Sequence, residues 1–183
     1  MSRIDANKGH DYLLHAFNLV RKKIKDIHLI IGGGSPRPER VERKVKENMR
    51  SIIIEYNMAD NVHITGYIPD ELIAPYYRQA ALFVLPSKFE PFGMTALEAR
   101  ACGTPVIASN LGGIKENFTS GKDGILVDPS NKEALSDAII ELLDNPARAE
   151  KIGKEGCKTV IEKFSWEAIA KRTLEFYEKY LNA

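Results

Sequence analysis

The sequence predicts an α/β fold: a three-layer α/β/α, Rossmann-like arrangement in which helices cover both faces of a doubly wound parallel sheet. Three observations predict it. Short apolar runs alternate with amphipathic helical segments along the whole chain. The runs are rich in β-branched residues, as expected of strands buried on both faces. Glycine and proline mark the boundaries, and no repeat or linker divides residues 1–183, so we expect a single domain.

The first half of the chain alternates helix and strand. Residues 10–25 repeat apolar side chains at the helical period, and residues 28–31 form an apolar run that ends at three glycines. Residues 39–56 then predict a long charged helix whose inward side chains are Val41, Val45, Met49, Ile52 and Ile53. A strand over 61–65, a helix over 70–79 and a strand over 82–85 follow.

The second half continues the alternation. Proline breaks the chain before a helix over 93–102, and a strand over 105–108, a short helix over 113–118 and a strand over 125–127 follow. Ser130 and Glu133 form a capping box, which predicts the start of the next helix. Two more helices span about 147–163 and 166–181, with Ser165 as the expected cap of the last one.

Length and composition exclude several classes of protein. The chain has 183 residues, of which 44% are hydrophobic and 28% charged, which suits a globular domain. A formal net charge of +1 argues against a generic nucleic-acid or anionic-membrane binder. The two cysteines indicate a reducing compartment, so we expect a cytoplasmic location. No apolar run approaches the roughly 20 residues of a membrane span, and the polar start predicts no signal peptide.

The segment after the strand at 82–85 carries the strongest candidate site, because ligands bind at the carboxyl ends of parallel strands. Glu90 lies there, Pro91 delays the next helix, and Gly93 permits a tight turn at the helix start. The amides of about Gly93 to Thr95 would then face the cleft as an anion site.

Glu98 lies one helical turn further along, among small apolar residues. A carboxylate in such surroundings needs a partner, such as the hydroxyls of a ligand. The alternative is an ion pair with Arg100 or another base, with Glu90 as a plain loop glutamate in water.

Each of three further segments can be interpreted either as part of a ligand-binding site or as an ordinary structural feature. Arg3 and Lys8 flank a turn before a helix and could neutralise a diphosphate, or they could be solvated surface cations. Backbone at 66–69, after a strand, could read a nucleobase edge or form a plain turn. Gly112 and Gly113 could leave amides free at a helix start, where an acid at 116 most simply complements the helix dipole.

Several motifs are missing from the sequence. There is no Asp-x-Asp motif, no phosphate-binding P-loop and no Gly-x-Ser-x-Gly elbow, and no histidine or cysteine cluster has metal-ligand spacing. The basic stretch over 37–50 is interleaved with glutamates, which indicates a solvated helix face. We therefore expect no metal site and no nucleic-acid partner.

Taken together, the segments resemble the C-terminal half of retaining glycosyltransferases of family 4, which have the GT-B fold. The resemblance covers essentially the whole chain, and the order and spacing of its motifs make it specific. The long polar helix at 39–56 resembles that of the branch of the family that contains sucrose-phosphate synthases and mannosylfructose-phosphate synthases. The motifs are Arg3-Ile4-Asp5 with Lys8-Gly9, Gly66-Tyr67-Ile68-Pro69, Glu90-Pro91-Phe92-Gly93-Met94-Thr95 with Glu98-Ala99, Gly103-Thr104-Pro105-Val106-Ile107-Ala108, Gly112-Gly113-Ile114 with Glu116, and Gly124 with Leu126-Val127.

The resemblance implies a role for each matched residue. Arg3 and Lys8 would hold the donor diphosphate, and Glu90 would contact the donor sugar and stabilise charge as the glycosidic bond breaks. The backbone amides of Phe92, Gly93 and Met94 would bind the sugar, and that of Thr95 the phosphate. Glu98 would hold the ribose hydroxyls, and backbone at Tyr67 or Ile68 would read the base. Such carbohydrate-biosynthetic enzymes need no bound metal, and their donor is a nucleoside-diphosphate sugar.

The resemblance also implies that this chain is part of a longer enzyme. Family members have an N-terminal half that binds the acceptor, and most of the first strand that should precede Arg3 is absent. We expect the isolated domain to bind nucleotide without transferring sugar, because half a cleft cannot position both substrates. The helix at 165–183 would cross to the missing half. A peripheral association with a membrane would be possible only through that missing half. The alternatives are a non-catalytic nucleotide-binding or interaction module and an epimerase of the same fold.

Overall fold

The computed structural model describes residues 2–181, which contain five β-strands, seven α-helices and two 3₁₀ turns. The strands are β1 (Leu29–Gly32), β2 (Val62–Gly66), β3 (Phe83–Leu85), β4 (Val106–Ser109) and β5 (Ile125–Val127). The α-helices are α1 (His10–Lys23), α2 (Arg40–Glu55), α3 (Asp70–Gln79), α4 (Met94–Ala101), α5 (Lys132–Asp144), α6 (Pro146–Phe164) and α7 (Trp166–Leu181). The 3₁₀ turns lie at Ala6–Lys8 and Gly113–Asn117.

Every paired strand of the described chain runs parallel to its neighbour, as predicted. Hydrogen bonds join β1 to β2 in one sheet, and β3, β4 and β5, in that order, in a second sheet. The sequence predicted one continuous sheet, and the structure instead breaks it between β1 and β3. The α/β class is thus confirmed. In the described chain the sheet is divided in two, because β1 and β3 are not hydrogen-bonded to each other.

Helices cover both faces of the sheet formed by β3, β4 and β5. Val84 and Ile107 pack against the larger core cluster with residues of α1, α2 and α5. Phe83 and Val106, one position away on the same strands, pack with residues of α3 and α4 in the second cluster. Because successive side chains point to opposite faces, each strand needs apolar residues at every position. This burial explains the uninterrupted apolar runs.

Two sequence predictions about helices are wrong. Val41 is 62% exposed, and the buried residue at the start of α2 is Glu42, whose carboxylate bonds the amide of Ser35 and pairs with a lysine one turn later. Helix α5 is capped by Asn131, which accepts from the Ala134 amide, rather than by Ser130. Ser130 instead donates to Asp128. In both cases polar bonds that hydrophobic periodicity does not report decided the outcome.

Helix α7 leaves its apolar side chains in solvent. Trp166 is 83% exposed and Leu181 is 81% exposed. The predicted cap at Ser165 is confirmed, because its hydroxyl accepts a hydrogen bond from the Ala168 amide. Residues 182 and 183, to which the predicted helix at 165–183 extended, lie outside the described residues. Within residues 2–181 no helix is long and apolar enough to cross a membrane.

Candidate functional site

The turn before α1 is held against the loop after β3. The Asn7 side chain donates to the Phe89 carbonyl at 2.6 Å, and the Lys88 amide donates to the Asn7 carbonyl at 2.7 Å. Gly9 has φ +65°, and a Cβ there would lie 1.9 Å from the Pro86 carbonyl oxygen. Only glycine permits this approach. The two segments, 5–9 and 86–90, therefore form one rigid unit at the carboxyl end of β3.

This unit brings Lys8 and Glu90 together. Lys8 Nζ lies 2.7 Å from Glu90 Oε2, and Ser87 Oγ donates to the same oxygen at 2.9 Å. Glu90 is only 7% exposed. A buried carboxylate is stable when it is both paired and hydrogen-bonded. We call these three residues the Glu90 cluster. The sequence predicted the two charged members, and it missed Ser87, although this residue lies inside the same motif.

The loop after β4 supports Glu90 through its backbone. The Ile114 amide donates to the Glu90 carbonyl at 3.0 Å, and the Glu90 amide donates to the Leu111 carbonyl at 3.0 Å. Gly112 has φ +96°, and a Cβ there would lie 2.5 Å from the Glu90 carbonyl oxygen. The prediction that the glycine pair leaves amides free is thus wrong for Ile114. That amide is used to hold the glutamate loop.

Helix α4 directs its first amides away from the helix body. Gly93 is the N-cap, with φ +84°, and it has no side chain that could accept from those amides. The Asn117 side chain holds the preceding turn by donating to the Phe92 carbonyl at 2.7 Å. Phe92 and Met94 have side chains that are 44% and 59% exposed. The start of α4 is therefore an open, positively polarised edge beside the Glu90 cluster.

Glu98 is exposed, and its partner in the described chain is Tyr77, whose hydroxyl donates to Oε2 at 3.3 Å. Burial raises the pKa of Tyr77, and the charge of Glu98 raises it further, so the phenol stays protonated. The alternative pairing with Arg100 is wrong. Arg100 Nη2 instead lies 2.9 Å from Asp123 Oδ2, and the two side chains form a buried ion pair.

The structure leaves two of the predicted ligand-binding segments apart from the cluster. The Arg3 side chain is 89% exposed and lies 4.0 Å from Asp5. Tyr67 is 52% exposed and Ile68 is buried, in the loop that follows β2. The Gly33 amide donates to the Gly66 carbonyl at 2.7 Å, which ties the ends of β1 and β2 together.

Sequence reasoning missed the three polar side chains that hold the site in place: Asn7, Ser87 and Asn117. Asn7 and Asn117 bond residues distant in sequence, so no local pattern marks them, whereas Ser87 lies only three residues before Glu90 and could have been found inside that motif. Within residues 2–181 no three acidic, histidine or cysteine side chains come together as a metal-binding group.

Comparison with known proteins identifies the family. Residues 1–159 match the family model described as Glycosyl transferases group 1. The chain belongs to this family. It is 37% identical to sucrose-phosphate synthase from Thermosynechococcus elongatus, with a TM-score of 0.87 over 100% of this chain and 44% of that one. It is also 31% identical over 182 residues to mannosylfructose-phosphate synthase from Agrobacterium fabrum, covering 97% of this chain and 39% of that protein.

A more distant structure shares the fold of this glycosyltransferase domain. The Anabaena protein HepE, solved in complex with UDP-glucose, is 22% identical with a TM-score of 0.86, and the match covers 98% of this chain and 47% of HepE. The chain spans less than half the length of each of these three proteins. The predicted membership of the GT-B glycosyltransferases and the likeness to sucrose-phosphate synthases are confirmed.

Proposed function

We propose that this domain binds the donor of a retaining glycosyltransferase, which moves a sugar from a nucleoside-diphosphate sugar to an acceptor without a metal ion. The donor would lie across the carboxyl ends of β2, β3 and β4. The observation that carries the proposal is the Glu90 cluster beside the open N-terminus of α4, since it places a buried carboxylate, a cation and free amides at one edge.

The chemistry of sugar transfer requires such an arrangement. When the bond between sugar and diphosphate breaks, negative charge develops on the departing phosphate and positive charge on the sugar ring. The Thr95 amide and the Lys8 ammonium group would oppose the first charge, and Glu90 would oppose the second. The amides of Phe92, Gly93 and Met94 would bind the sugar. Preorganised groups are effective here because they need little reorientation during the reaction.

The hydrogen bonds of Glu90 leave one of its carboxylate oxygens available. Both Lys8 and Ser87 bond to Oε2, so in the described chain Oε1 is the oxygen that can accept from a sugar hydroxyl. Lys8 has three N–H donors, of which one is directed at Glu90. The other two can reach a phosphate oxygen while the ion pair stays in place. Lys8 would therefore contact donor and catalytic carboxylate at once.

The outer residues would bind the nucleoside and the far phosphate. Arg3 can swing toward a diphosphate at small cost, because its exposed side chain gives up only a 4.0 Å ion pair with Asp5. Exposed Glu98 can accept from ribose hydroxyls, and its bond from Tyr77 orients it. Backbone at Tyr67 and Ile68 would read the base. HepE, which has this fold, was solved with UDP-glucose.

We further propose that the domain binds nucleotide but transfers no sugar by itself. The relatives are more than twice as long, and an acceptor site would lie in the part that this chain does not match. The exposed apolar side chains of α7 would contact that second half. Cys102 and Cys157 are free thiols, which supports a cytoplasmic location.

Calorimetric titration of the purified chain tests the donor site. UDP, GDP and ADP are added separately, with and without EDTA. We expect one of them to bind, unaffected by EDTA, and Lys8→Ala to weaken binding by about 10-fold or more, as for loss of a charge-assisted bond. Lys23→Ala, which removes an exposed lysine on α1, is the matched control.

Failure of all three nucleotides to bind, or equal affinity in the parent chain and Lys8→Ala, would contradict the proposed donor site. Binding without restored transfer after the N-terminal half is added would favour a non-catalytic nucleotide-binding module instead.

A further inference from the structure

Two histidines are in contact on the outer face of the sheet formed by β1 and β2. His28 Nδ1 lies 3.0 Å from His63 Nε2. The rings are stacked, with their centroids 5.2 Å apart and their planes inclined by 26°. The residues are 35 positions apart in sequence, so no short ligand motif marks them. We call these two residues the histidine pair.

The register of the parallel strands directs both side chains to one face. Leu29 lies opposite Val62, and Ile30 lies opposite His63. Leu29 and Val62 pack in the larger core cluster. Because successive side chains of a strand alternate between faces, His28 and His63 both point away from that core. Both are exposed, so an ion in solution can reach them.

Asn61 fixes the backbone on both sides of His28. The Leu29 amide donates to the Asn61 carbonyl at 2.8 Å, and the Asn61 side chain donates to the Ile27 carbonyl at 3.0 Å. His63 follows two residues later and belongs to the ladder between β1 and β2. The main chains that carry the two rings are therefore held at a fixed spacing. A ligand that bridges the rings would have to order little of the protein.

The distance between the two nitrogens fits neighbouring positions around one metal ion. Imidazole nitrogens bind first-row divalent metals at about 2.0–2.1 Å. Two such bonds to nitrogens 3.0 Å apart enclose an angle of roughly 90° at the metal. This angle is that of octahedral or square-planar coordination, which suits Ni²⁺ and Cu²⁺. Tetrahedral Zn²⁺ would need nitrogens roughly 3.4 Å apart, and Mg²⁺ prefers oxygen ligands.

The contact between the rings can become a chelate without net loss of a proton. At 3.0 Å the two facing nitrogens share one hydrogen, which one ring donates to the other. Metals bind the neutral form of histidine. In a neutral ring the shared hydrogen can move to the outer nitrogen, which is Nε2 in His28 and Nδ1 in His63. Both facing nitrogens then present a lone pair to the same ion.

We propose that His28 and His63 together bind one divalent transition-metal ion of the nickel or copper type. Within residues 2–181 no acidic, histidine or cysteine side chain joins the pair as a third ligand, so water would occupy the remaining positions. His28 directly precedes β1, whereas the proposed donor site lies at the carboxyl ends of β2, β3 and β4. The inference therefore does not rest on the proposed sugar transfer, which needs no metal ion.

Calorimetric titration of the chain with NiCl₂ tests the proposal, on protein that carries no affinity tag. The parent should bind one Ni²⁺. His28→Gln and His63→Gln should each weaken binding by about 10-fold or more, because one imidazole alone cannot chelate. His15→Gln is the matched control and should bind like the parent, since it removes an imidazole that contacts Tyr56 instead. MgCl₂ should give no binding.

NMR identifies the ligands directly. Cu²⁺ at a small fraction of the protein concentration should broaden the imidazole signals of His28 and His63 together and leave those of His15 sharp. Broadening of one ring of the pair alone would overturn the proposal, because a single histidine would then hold the ion. Equal Ni²⁺ affinity in the parent and His63→Gln would also overturn it. Tighter binding of Zn²⁺ than of Ni²⁺ would contradict the coordination angle on which it depends.

Discussion

Lys8 Nζ lies 2.7 Å from Glu90 Oε2, although 82 residues separate the two in sequence. Their side chains are 15% and 9% exposed, so solvent screens the pair weakly. The contact exists because the 3₁₀ turn at Ala6–Lys8 is bonded to the loop after β3. It connects the start of the chain to the centre of the proposed donor site.

Removal of one partner of this pair should destabilise the domain. Lys8→Met leaves Glu90 buried without its counter-ion, and we expect a loss of about 3 kcal/mol in the free energy of unfolding. Adding Glu90→Gln should recover part of that loss, since no uncompensated charge remains. Urea denaturation measures both. Lys23→Met, in an exposed pair, is the control and should cost less than about 1 kcal/mol. Equal losses in the two single variants would contradict the buried pairing.

Gly112→Ala should disturb the glutamate loop. A Cβ at this position would lie 2.5 Å from the Glu90 carbonyl oxygen, which is rigidly held backbone. We expect a loss of about 3 kcal/mol together with weaker nucleotide binding. Gly121→Ala is the matched control, because φ is +80° and no atom lies within 4 Å of its Cβ. It should lose only the roughly 1 kcal/mol of left-handed strain and leave binding unchanged. Similar effects of the two substitutions would exclude the clash as the cause.

Arg100 should stabilise the site from a distance. Its Nη1 donates to the Asn117 carbonyl at 2.7 Å, and the Asn117 side chain holds Phe92. Because Arg100 and Asp123 form a buried pair, Arg100→Met should cost about 3 to 5 kcal/mol and loosen the Phe92 turn. Thermal unfolding and amide exchange around Phe92 measure the two effects. Arg148→Met, in an exposed pair with Glu141, should cost less than about 1 kcal/mol.

His10 should make the domain sensitive to mild acid. Burial lowers the pKa of His10 below its ordinary value of 6.5, and nearby acids oppose this only in part. The unfolded chain therefore binds this proton more tightly than the folded chain. The contribution of neutral His10 to the free energy of unfolding is fully present above pH 6.5 and is lost as the pH falls below that value.

Urea denaturation at several pH values measures this effect. The free energy of unfolding of the parent chain should fall more steeply from about pH 6.5 to about pH 5 than that of His10→Gln. Ser51→Ala, which removes no titratable group at an exposed position on α2, should follow the parent. An unchanged slope in His10→Gln would contradict the assignment.

Much of the fold could be predicted from local sequence. Helix α3 has the predicted bounds of residues 70–79, and β5 those of residues 125–127. The run from Glu90 to Thr95 occupies the predicted position between β3 and α4. Periodicity, proline and glycine act within a few residues of themselves, so their effects can be read without knowledge of the rest of the molecule.

The sequence by itself therefore determined the α/β class, the order of the elements, the family resemblance and the position of Glu90 at a strand end. Only the tertiary structure decided which groups meet: Lys8 with Glu90, Tyr77 rather than Arg100 with Glu98, and the Asn117 side chain with the Phe92 carbonyl. It also decided that the sheet opens between β1 and β3. The physical reason is that hydrogen-bond partners and strand neighbours are chosen by packing between distant segments, whereas helix and strand periods arise from neighbouring residues.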